Sequence, residues 1–485
     1  MSKPALDVAI IGSGFAGLCM GIKLAEEGRR SFAIFEKADR IGGTWRDNHY
    51  PGCACDIPSH LYSFSFDLNP RWSHKFSPAP EILRYLEGCV ERHGLGPYVR
   101  LGHELERAEL DEATLTWRLY FAGGREVTAR HVVFGIGALS RPAYPDIPGL
   151  GEFRGHSFHS AAWDHAYAPE GRDVAVIGTG ASAIQFVPEL ARRARRLDVY
   201  QRTPPWILPR VDRPFSARRR AAFARLPALA RLYRWWIYAS LEWRVMGLTI
   251  EPRILKLVEH FGKQHIARSI EDPALRDALT PRYTPGCKRI LLSDDYYPAI
   301  ARPNVSLVTC AIERVTEHGV LTRDGQERKV DAIVLGTGFR VTDFLTPLVV
   351  LGRGGTDLND AWQKDAEAYL GTAVTGFPNL SLLVGPNTGL GHNSMVFMIE
   401  AQVGHVMRTL RELDRRGARA VDVRPAAQAS FNAALQPRLE RSVWQSGCKS
   451  WYLATSGKNT TLWPGFTIEF WLRTLRVDPD AYVFE

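Results

Sequence analysis

Two stretches of the chain share one pattern of hydrophobic and polar positions. Residues 7–17 (DVAIIGSGFAG) and 173–183 (DVAVIGTGASA) each begin with an apolar run of the length of a buried strand. A tight glycine turn follows in both, and then an amphipathic helical pattern, FAGLCMGIKLAEEG in the first copy and ASAIQFVPELARRA in the second. We therefore predict two strand–turn–helix units of the same kind, 166 residues apart.

The glycine spacing in both turns, G-x-G-x-x-G/A, is typical of a dinucleotide-binding loop. The first glycine permits the turn, the second lets the backbone approach a pyrophosphate, and the third position leaves room for the helix to pack on the strand. The start of the helix offers free N–H groups to the anion. Two copies in the same context predict two dinucleotide sites more strongly than one copy could. The predicted binding residues are Gly12, Ser13, Gly14, Phe15, Ala16 and Gly17 in the first loop, and Gly178, Thr179, Gly180, Ala181 and Ser182 in the second.

The two units differ at the end of their second strand. Glu36 stands 19 residues after Gly17, whereas Arg202 stands 19 residues after Ala183. A carboxylate at this position accepts hydrogen bonds from ribose hydroxyls, and an arginine can bind a 2′-phosphate through two hydrogen bonds. We predict FAD or NAD in the first site and NADP in the second, with NADPH and FAD as the obvious electron-transfer pair. The alternative for either residue is a solvated surface charge.

Composition and charge narrow the choice of function. The chain has 485 residues, 45% of them hydrophobic, and a formal net charge of +9, so it is long enough for two or three domains. Residues 216–236 are rich in arginine, but no recognition module accompanies the charge, and nucleic-acid binding is not predicted. Residues 226–250 are apolar but interrupted by four charged residues, so a membrane span is not predicted. A buried helical insert is favoured there over a substrate mouth or a loose membrane contact.

The cysteines and histidines argue against several other enzyme classes. Seven cysteines without a paired spacing predict reduced thiols and a cytoplasmic protein, and the N-terminus shows no signal-peptide pattern. Cys53 and Cys55 form a C-x-C, not the C-x-x-C of flavin disulfide reductases, and there is no G-x-S-x-G of a hydrolase. His156 and His159 lack further ligands at metal-binding spacing, so no metal site is predicted.

Several segments resemble the class B flavin monooxygenases and, more narrowly, the Baeyer–Villiger monooxygenases. Residues 153–164 (FRGHSFHSAAWD) fit the fingerprint F-x-G-x-x-x-H-x-x-x-W-[P/D], and residues 42–56 (GGTWRDNHYPGCACD) fit G-G-x-W-x-x-N-x-Y-P-G-x-x-x-D. Residues 286–300 and 368–394 are similar to the family's Lys-Arg segment and its late FAD-domain segment. The resemblance covers nearly the whole chain and is weakest in the arginine-rich 204–280 stretch.

Together with the two loops, the resemblance implies an α/β fold with two dinucleotide-binding, Rossmann-like domains. The FAD domain is expected to be discontinuous, and the NADP domain is expected to carry a helical insertion. The implied boundaries are 1–148 and 339–485 for the FAD domain, 149–203 and 281–338 for the NADP domain, and 204–280 for the helical insert.

The resemblance also implies the roles of site residues. Arg289 would stabilise a negatively charged C4a-peroxyflavin, and Asp56 would orient Arg289 and contact the nicotinamide. Arginine suits this role because its guanidinium stays charged and is a poor acid. Further FAD contacts are implied at Gly43, Thr44, Trp45, Asp56, Tyr62 and Leu105; further NADP contacts at Ala54, Cys55, Asp56, Arg202, Thr203, Lys288 and Arg289; and domain coupling at His159 and Trp163. Trp451 would border the substrate or nicotinamide, or else belong to the core.

The implied reaction is the NADPH- and O2-dependent insertion of one oxygen next to a ketone carbonyl, which gives an ester or a lactone. Two alternatives stay open. One is a flavin monooxygenase of the same architecture that oxygenates sulfur or nitrogen. The other is a nucleotide-binding or electron-transfer flavoprotein that oxygenates nothing and therefore does not need Arg289.

Overall fold

A computed structural model describes residues 4–343, 345–363, 365–448 and 450–485. The strands are, in chain order, β1 (Leu6–Ile11), β2 (Phe32–Phe35), β3 (Val99–Arg100), β4 (Leu105–Asp111), β5 (Thr116–Phe121), β6 (Arg125–Phe134), β7 (His156–His159), β8 (Asp173–Ile177), β9 (Arg196–Tyr200), β10 (Ile207–Leu208), β11 (Leu291–Leu292), β12 (Val305–Val308), β13 (Ile312–Val315), β14 (Gly319–Thr322), β15 (Glu327–Lys329), β16 (Ala332–Leu335), β17 (Val349–Leu351), β18 (Leu380–Leu382), β19 (Val421–Val423) and β20 (Tyr482–Phe484). The helices are α1 (Phe15–Glu26), α2 (Thr44–Asp47), α3 (Ala79–Arg92), α4 (Ala183–Arg193), α5 (Ala217–Arg225), α6 (Pro227–Glu242), α7 (Leu255–Ser269), α8 (Pro273–Leu279), α9 (Tyr296–Ile300), α10 (Leu358–Ala361), α11 (Met395–Arg416), α12 (Pro425–Glu440) and α13 (Thr467–Thr474).

The first glycine motif follows β1, which lies inside the larger sheet. Its strand order is β17-β4-β5-β6-β1-β2-β3, and β18 pairs with the end of β6. Ile10 of β1 lies opposite Ile34 on one side and Val133 on the other, and both pairings are parallel. The last four residues of β1 are buried, as expected for a parallel strand covered on both faces.

The second glycine motif follows β8 in a separate, entirely parallel sheet. Its strand order is β12-β9-β8-β16-β7, and all five residues of β8 are buried. The two sheets, each with its own strand–turn–helix unit, confirm the predicted α/β fold with two Rossmann-like domains.

The chain leaves the first sheet and returns to it. After β6 it enters the second sheet with β7, and after β16 it re-enters the first sheet with β17 and β18. The first domain is therefore discontinuous, as the resemblance implies. The boundaries at residues 148 and 338 stay predictions, because secondary structure alone does not assign the linker residues between the sheets.

The predicted helical insert contains α5 to α8, between β10 and β11. It does not rest only on the second domain, because two buried charged residues of α6 bind the first. Arg234 donates hydrogen bonds to the carbonyls of His60 (2.8 Å), Leu61 (3.0 Å) and Ser63 (2.9 Å). Glu242 accepts hydrogen bonds from Asn393 (2.6 Å) and from the hydroxyl of Thr467 (2.9 Å). A sequence pattern could not reveal these contacts, since the partners lie between 151 and 225 residues away.

The prediction that every cysteine is a reduced thiol is wrong for one pair. Cys287 and Cys448 form a disulfide, with their Cα atoms 6.3 Å apart. They are separated by 161 residues, and only the tertiary fold brings them together. Cys19, Cys53, Cys55, Cys89 and Cys310 are free. Among the helices of the described ranges, none combines the length and apolar character needed to cross a bilayer.

Candidate active site

The first glycine loop has the close packing that its sequence requires. Gly12 has a φ of +100°, and a Cβ on it would lie 2.6 Å from the carbonyl oxygen of Gly135, so a larger residue would be strained there. If Gly14 carried a Cβ, the nearest atom to it would be the Cα of Gly43, at 3.8 Å. The structure thus brings the two predicted glycine-rich segments of the FAD site next to each other.

Glu36 is a buried carboxylate at the base of this loop. Its Oε2 accepts hydrogen bonds from the backbone N–H (3.0 Å) and the hydroxyl (2.6 Å) of Ser13, and its Oε1 lies 2.9 Å from the guanidinium of Arg46. Burial alone would raise the pKa of Glu36, but the hydrogen bonds from Ser13 and Ala38 and the charge of Arg46 hold it below the ordinary value. Glu36 is therefore ionised at neutral pH, the state in which it can accept hydrogen bonds from a ribose. Sequence reasoning missed Arg46, although it follows Trp45 directly in the quoted motif.

Aromatic side chains form the wall beside this loop. Gly43 and Thr44 begin α2, which carries the buried Trp45. The indole N–H of Trp45 donates to the hydroxyl of Tyr62 (3.3 Å), whose ring packs edge-on against Phe15. Leu105 begins β4 and is half-buried against the core of the first sheet, so its predicted contact with FAD stays a prediction.

The second glycine loop is more open. Gly178 has a φ of +113°, and a Cβ there would collide with the carbonyl oxygen of Gly336. By contrast, a Cβ on Gly180 would meet no described atom within 4 Å. Gly180 and Ala181 are exposed at the start of α4, and Thr179 donates to the carbonyl of Thr203 (3.4 Å). The backbone of this loop is accessible to a ligand.

Two cations lie close together near the second loop. Arg202 is exposed just after β9, and Lys288 lies in the segment that leads to β11. Burial, and then the charge of Arg202, lower the pKa of Lys288. Neither side chain forms an ion pair with any described residue. Two neighbouring cations without a carboxylate partner suit a doubly charged phosphate.

The most specific feature of the site is an ion pair between the two domains. Nε and Nη2 of Arg289 lie 2.9 and 2.5 Å from Oδ2 of Asp56, 233 residues away in sequence. The side chains are 29% and 30% exposed, so the pair opens onto solvent. The charge of Asp56 raises the pKa of Arg289, although burial opposes it. Within the described ranges, Nη1 of Arg289 and Oδ1 of Asp56 have no hydrogen-bond partner, so both atoms can meet a ligand.

Two residues that the sequence did not single out complete this site. Tyr452 is buried, and burial raises its pKa to about 12, with Arg289 and Asp56 close enough to act on it electrostatically. Arg210 donates to the carbonyl of Cys55 (3.2 Å). Trp451 is 44% exposed and packs on the ring of Tyr452, so the core alternative for Trp451 is wrong.

Gln185 joins the first domain to the helix that follows the second loop. Its amide oxygen accepts from the hydroxyl of Tyr50 (2.9 Å), and its amide nitrogen donates to the carbonyl of Ala54 (3.0 Å). A Cβ on Gly52 would lie 2.5 Å from the carbonyl oxygen of Gln185. Residues 50–56 are therefore held tightly against α4, and this contact fixes where Asp56 stands.

The fingerprint segment lies at the same junction. Trp163 is buried against Phe158 and Phe186 of the second domain, and its ring centre lies 6.5 Å from that of Tyr50 in the first. His159 accepts a hydrogen bond from the backbone of Ala161 (3.1 Å), which closes a short turn. These positions are compatible with the predicted coupling of the domains, which stays a prediction.

The remaining candidates for other chemistry have structural roles. Nε2 of His156 lies 2.9 Å from Asp164, and no group of three or more potential metal ligands is assembled within the described ranges. Cys53 and Cys55 are buried, and burial raises the pKa of Cys53 to about 12 and that of Cys55 further still. Thiols with such pKa values are poor nucleophiles, so this C-x-C is not a redox pair.

Comparisons with known proteins agree with this geometry. Residues 9–217 match a family model described as pyridine nucleotide-disulphide oxidoreductase. A Baeyer–Villiger monooxygenase of Pseudomonas aeruginosa is 52% identical over 98% of this chain and 90% of its own length. A steroid monooxygenase solved in its oxidised state with NADP is 32% identical, with a TM-score of 0.88 over 99% of both chains. OTEMO, solved in complex with FAD and NADP, is 25% identical, with a TM-score of 0.91 over 100% of both chains.

Proposed function

We propose a mechanism from the premise that this chain belongs to the Baeyer–Villiger monooxygenases. It is an FAD-dependent monooxygenase that uses NADPH. Our proposal is that the Asp56–Arg289 pair assists the oxygenation of a ketone, for which bound FAD would supply the redox chemistry, and that the two nucleotides bind at the two glycine loops. The observation that carries the proposal is the ion pair itself, because it joins the two domains at one solvent-accessible point.

FAD fits the first loop. The paired backbones of Gly14 and Gly43 leave room for a diphosphate, and the ionised Glu36 at the base of the loop can accept hydrogen bonds from ribose hydroxyls. Trp45 and Tyr62 would line the flavin. Bound FAD supplies the chemistry that takes a hydride from NADPH and activates O2.

NADPH fits the second loop. Gly180 leaves its backbone accessible, and the helix behind it offers N–H groups to the pyrophosphate. Arg202 and Lys288, which repel one another, would bind the 2′-phosphate that distinguishes NADPH from NADH. Ala54, Cys55 and Asp56 stand at the domain junction, where the nicotinamide would reach them.

Arg289 would act by holding a fixed positive charge at the reacting atoms. Its raised pKa means that it donates hydrogen bonds without giving up a proton. Asp56 binds Nε and Nη2 and thereby directs the free Nη1 toward the substrate. A fixed cation near the carbonyl oxygen of a ketone stabilises the negative charge that develops there when the carbonyl is attacked, typically by a few kcal/mol.

The substrates we propose are O2 and a small ketone, and the product is an ester or a lactone. We place the reaction in the cytoplasm, where NADPH is supplied.

The test separates flavin reduction from oxygenation. We would compare wild type with Arg289→Ala, Arg289→Lys and the exposed control Arg302→Ala by anaerobic stopped-flow reduction with NADPH, followed by oxygen and a panel of cyclic and linear ketones. Arg289→Ala should still be reduced but should form ester at least about a hundredfold more slowly. Arg289→Lys should recover little, since an ammonium cannot reproduce the guanidinium geometry, and Arg302→Ala should match wild type.

Two results would contradict the proposal. Undiminished ester formation by Arg289→Ala would remove the role of the cation. Turnover of sulfides or amines by wild type, with no product from any ketone, would favour the sulfur- or nitrogen-oxygenating alternative.

A further inference from the structure

Helix α6 exposes an apolar face that the fold does not cover. The face, here called the α6 stripe, consists of Leu229, Leu232, Trp235 and Trp236 of α6 and of Trp243, the residue that caps its C-terminus, which are 40%, 66%, 63%, 64% and 68% exposed. At 3.6 residues per turn these five positions fall within about 120° of the helix circumference. Three tryptophans on one exposed stripe form a patch of the kind that marks an interaction site.

The stripe is not an exposed part of the core. The opposite side of α6 already packs inward through Ala230, Ile237 and Leu241, which are all buried. Arg234 and Glu242 fix the helix to the first domain through the buried hydrogen bonds described above. The helix is therefore apolar on two sides, and only one of them is needed for folding.

The exposed charges of the segment that carries the stripe are of one sign. Residues 216–250 contain seven arginines and one acid, Glu242, which is buried. Six of the arginines are exposed, and none of these forms an ion pair with a described residue. The exposed arginines are Arg218, Arg219, Arg220, Arg225, Arg231 and Arg244, of which Arg244 lies close enough to Asp56 to interact with it electrostatically and is not counted in the surface described below.

We propose that the α6 stripe docks onto the surface of an anionic phospholipid bilayer. Tryptophan and leucine side chains enter the boundary between headgroups and acyl chains, and arginines bind the lipid phosphates. The α6 stripe would lie on the membrane and would not span it. A second copy of the chain is a poorer occupant, because two such faces would bring exposed arginines together without acidic partners.

The experiment uses the full-length holoenzyme and sucrose-loaded vesicles in a sedimentation assay. One set of vesicles contains phosphatidylcholine alone, and the other contains phosphatidylcholine with phosphatidylglycerol. Wild type should sediment with the anionic vesicles at low salt and should be released as salt is raised, because screening weakens the arginine contacts. Binding to phosphatidylcholine alone should be weak.

Two variants test the two components of the surface. Trp235→Ser/Trp236→Ser/Trp243→Ser and Arg218→Glu/Arg220→Glu/Arg225→Glu should each lower the partition coefficient at least about tenfold. The control is Arg302→Glu/Arg323→Glu/Lys329→Glu, which replaces exposed cations of the second domain and changes the net charge by the same amount. Its partition coefficient should stay close to that of wild type. FAD content and NADPH oxidation should be unchanged in all three, which excludes misfolding and keeps the result independent of the proposed function.

Analytical ultracentrifugation of the same samples decides between occupants. Failure of wild type to bind anionic vesicles at low salt would overturn the proposal. So would a wild-type dimer that the tryptophan substitutions dissociate, because a second copy would then cover the stripe. Equal loss of binding in the charge control would show that net charge, and not this face, drives association.

Discussion

Protonation of His60 should weaken the attachment of the helical insert to the first domain. Its ring is 3% exposed and is surrounded by the rings of Phe215, Phe223 and Tyr233, and neither ring nitrogen has a hydrogen-bond partner among the described residues. Burial, followed by the charges of Arg219 and Arg234, lowers the pKa of His60 from 6.5 to about 4. The folded protein therefore favours the neutral ring.

The sign and size of the effect follow from that difference. Because the pKa is lower in the folded state, the unfolded state binds more protons, and stability falls as the pH drops below about 6.5. The fall is complete below about pH 4. At about 1.4 kcal/mol per pKa unit, the full loss is about 3 kcal/mol, and about 2 kcal/mol of it is already lost at pH 5.

Urea denaturation at pH 7.5 and pH 5.0 measures this loss. His60→Phe keeps an aromatic ring of similar shape in the apolar site and removes the titration, so its free energy of unfolding should fall by about 2 kcal/mol less than that of wild type between the two pH values. The exposed His318→Phe serves as the control and should behave like wild type. An identical pH dependence for wild type and His60→Phe would refute the reasoning.

Three further predictions follow from single contacts. Arg202→Ala and Lys288→Ala should each raise the KM for NADPH by about tenfold to a hundredfold, because each would remove one charge-assisted hydrogen bond to the 2′-phosphate. The KM for NADH should not change. Steady-state kinetics with both coenzymes measures this difference, and a parallel rise of the KM for NADH would contradict the prediction. Gln185→Ala should lower kcat/KM for the ketone about tenfold or more, since it releases residues 50–56, which include Asp56, from α4. Gln185→Glu should recover only the hydrogen bond from Tyr50. An unchanged kcat/KM for Gln185→Ala would show that Gln185 is not needed to position Asp56. In denaturant without reductant, thiol titration of wild type should detect five reactive cysteines. The same titration of Cys448→Ser should detect six, because the substitution frees Cys287. Seven reactive cysteines in wild type would disprove the disulfide.

Sequence reasoning could predict the fold where the pattern is local. The two glycine loops follow buried strands as predicted, because strand, turn and helix occupy a short stretch of chain and fixed spacing carries the information. The nucleotide contacts of Glu36 and Arg202 stay predictions. The Lys288–Arg289 pair needed the family resemblance, since nothing in its own neighbourhood indicates which ligand it meets. The two-domain fold followed from the repeated motif for the same local reason.

Sequence reasoning failed where a contact depends on how domains pack. Gln185 appears in the sequence as an ordinary polar residue of an amphipathic helix, and only its distance to Tyr50 and Ala54 shows that it joins two domains. The sequence shows Arg234 as one of four charged residues that interrupt the apolar 226–250 segment, but its buried contacts with three carbonyls could not be predicted. In each case the partner lies more than a hundred residues away, beyond the reach of periodicity or motif.

Under the proposed function, the Asp56–Arg289 ion pair depends directly on these packing contacts between the domains. Asp56 belongs to the first domain and Arg289 to the second, so the ion pair that orients Arg289 forms only when the two domains pack together. A shift between the domains would therefore be expected to change the direction of the free Nη1 of Arg289. We therefore expect Gln185, and the packing of Trp163 between Tyr50 and Phe186, to influence catalysis through the position of this ion pair. Substitutions at this junction should separate oxygenation from NADPH oxidation, because hydride transfer requires the two cofactors to meet but does not require Arg289 to face a ketone.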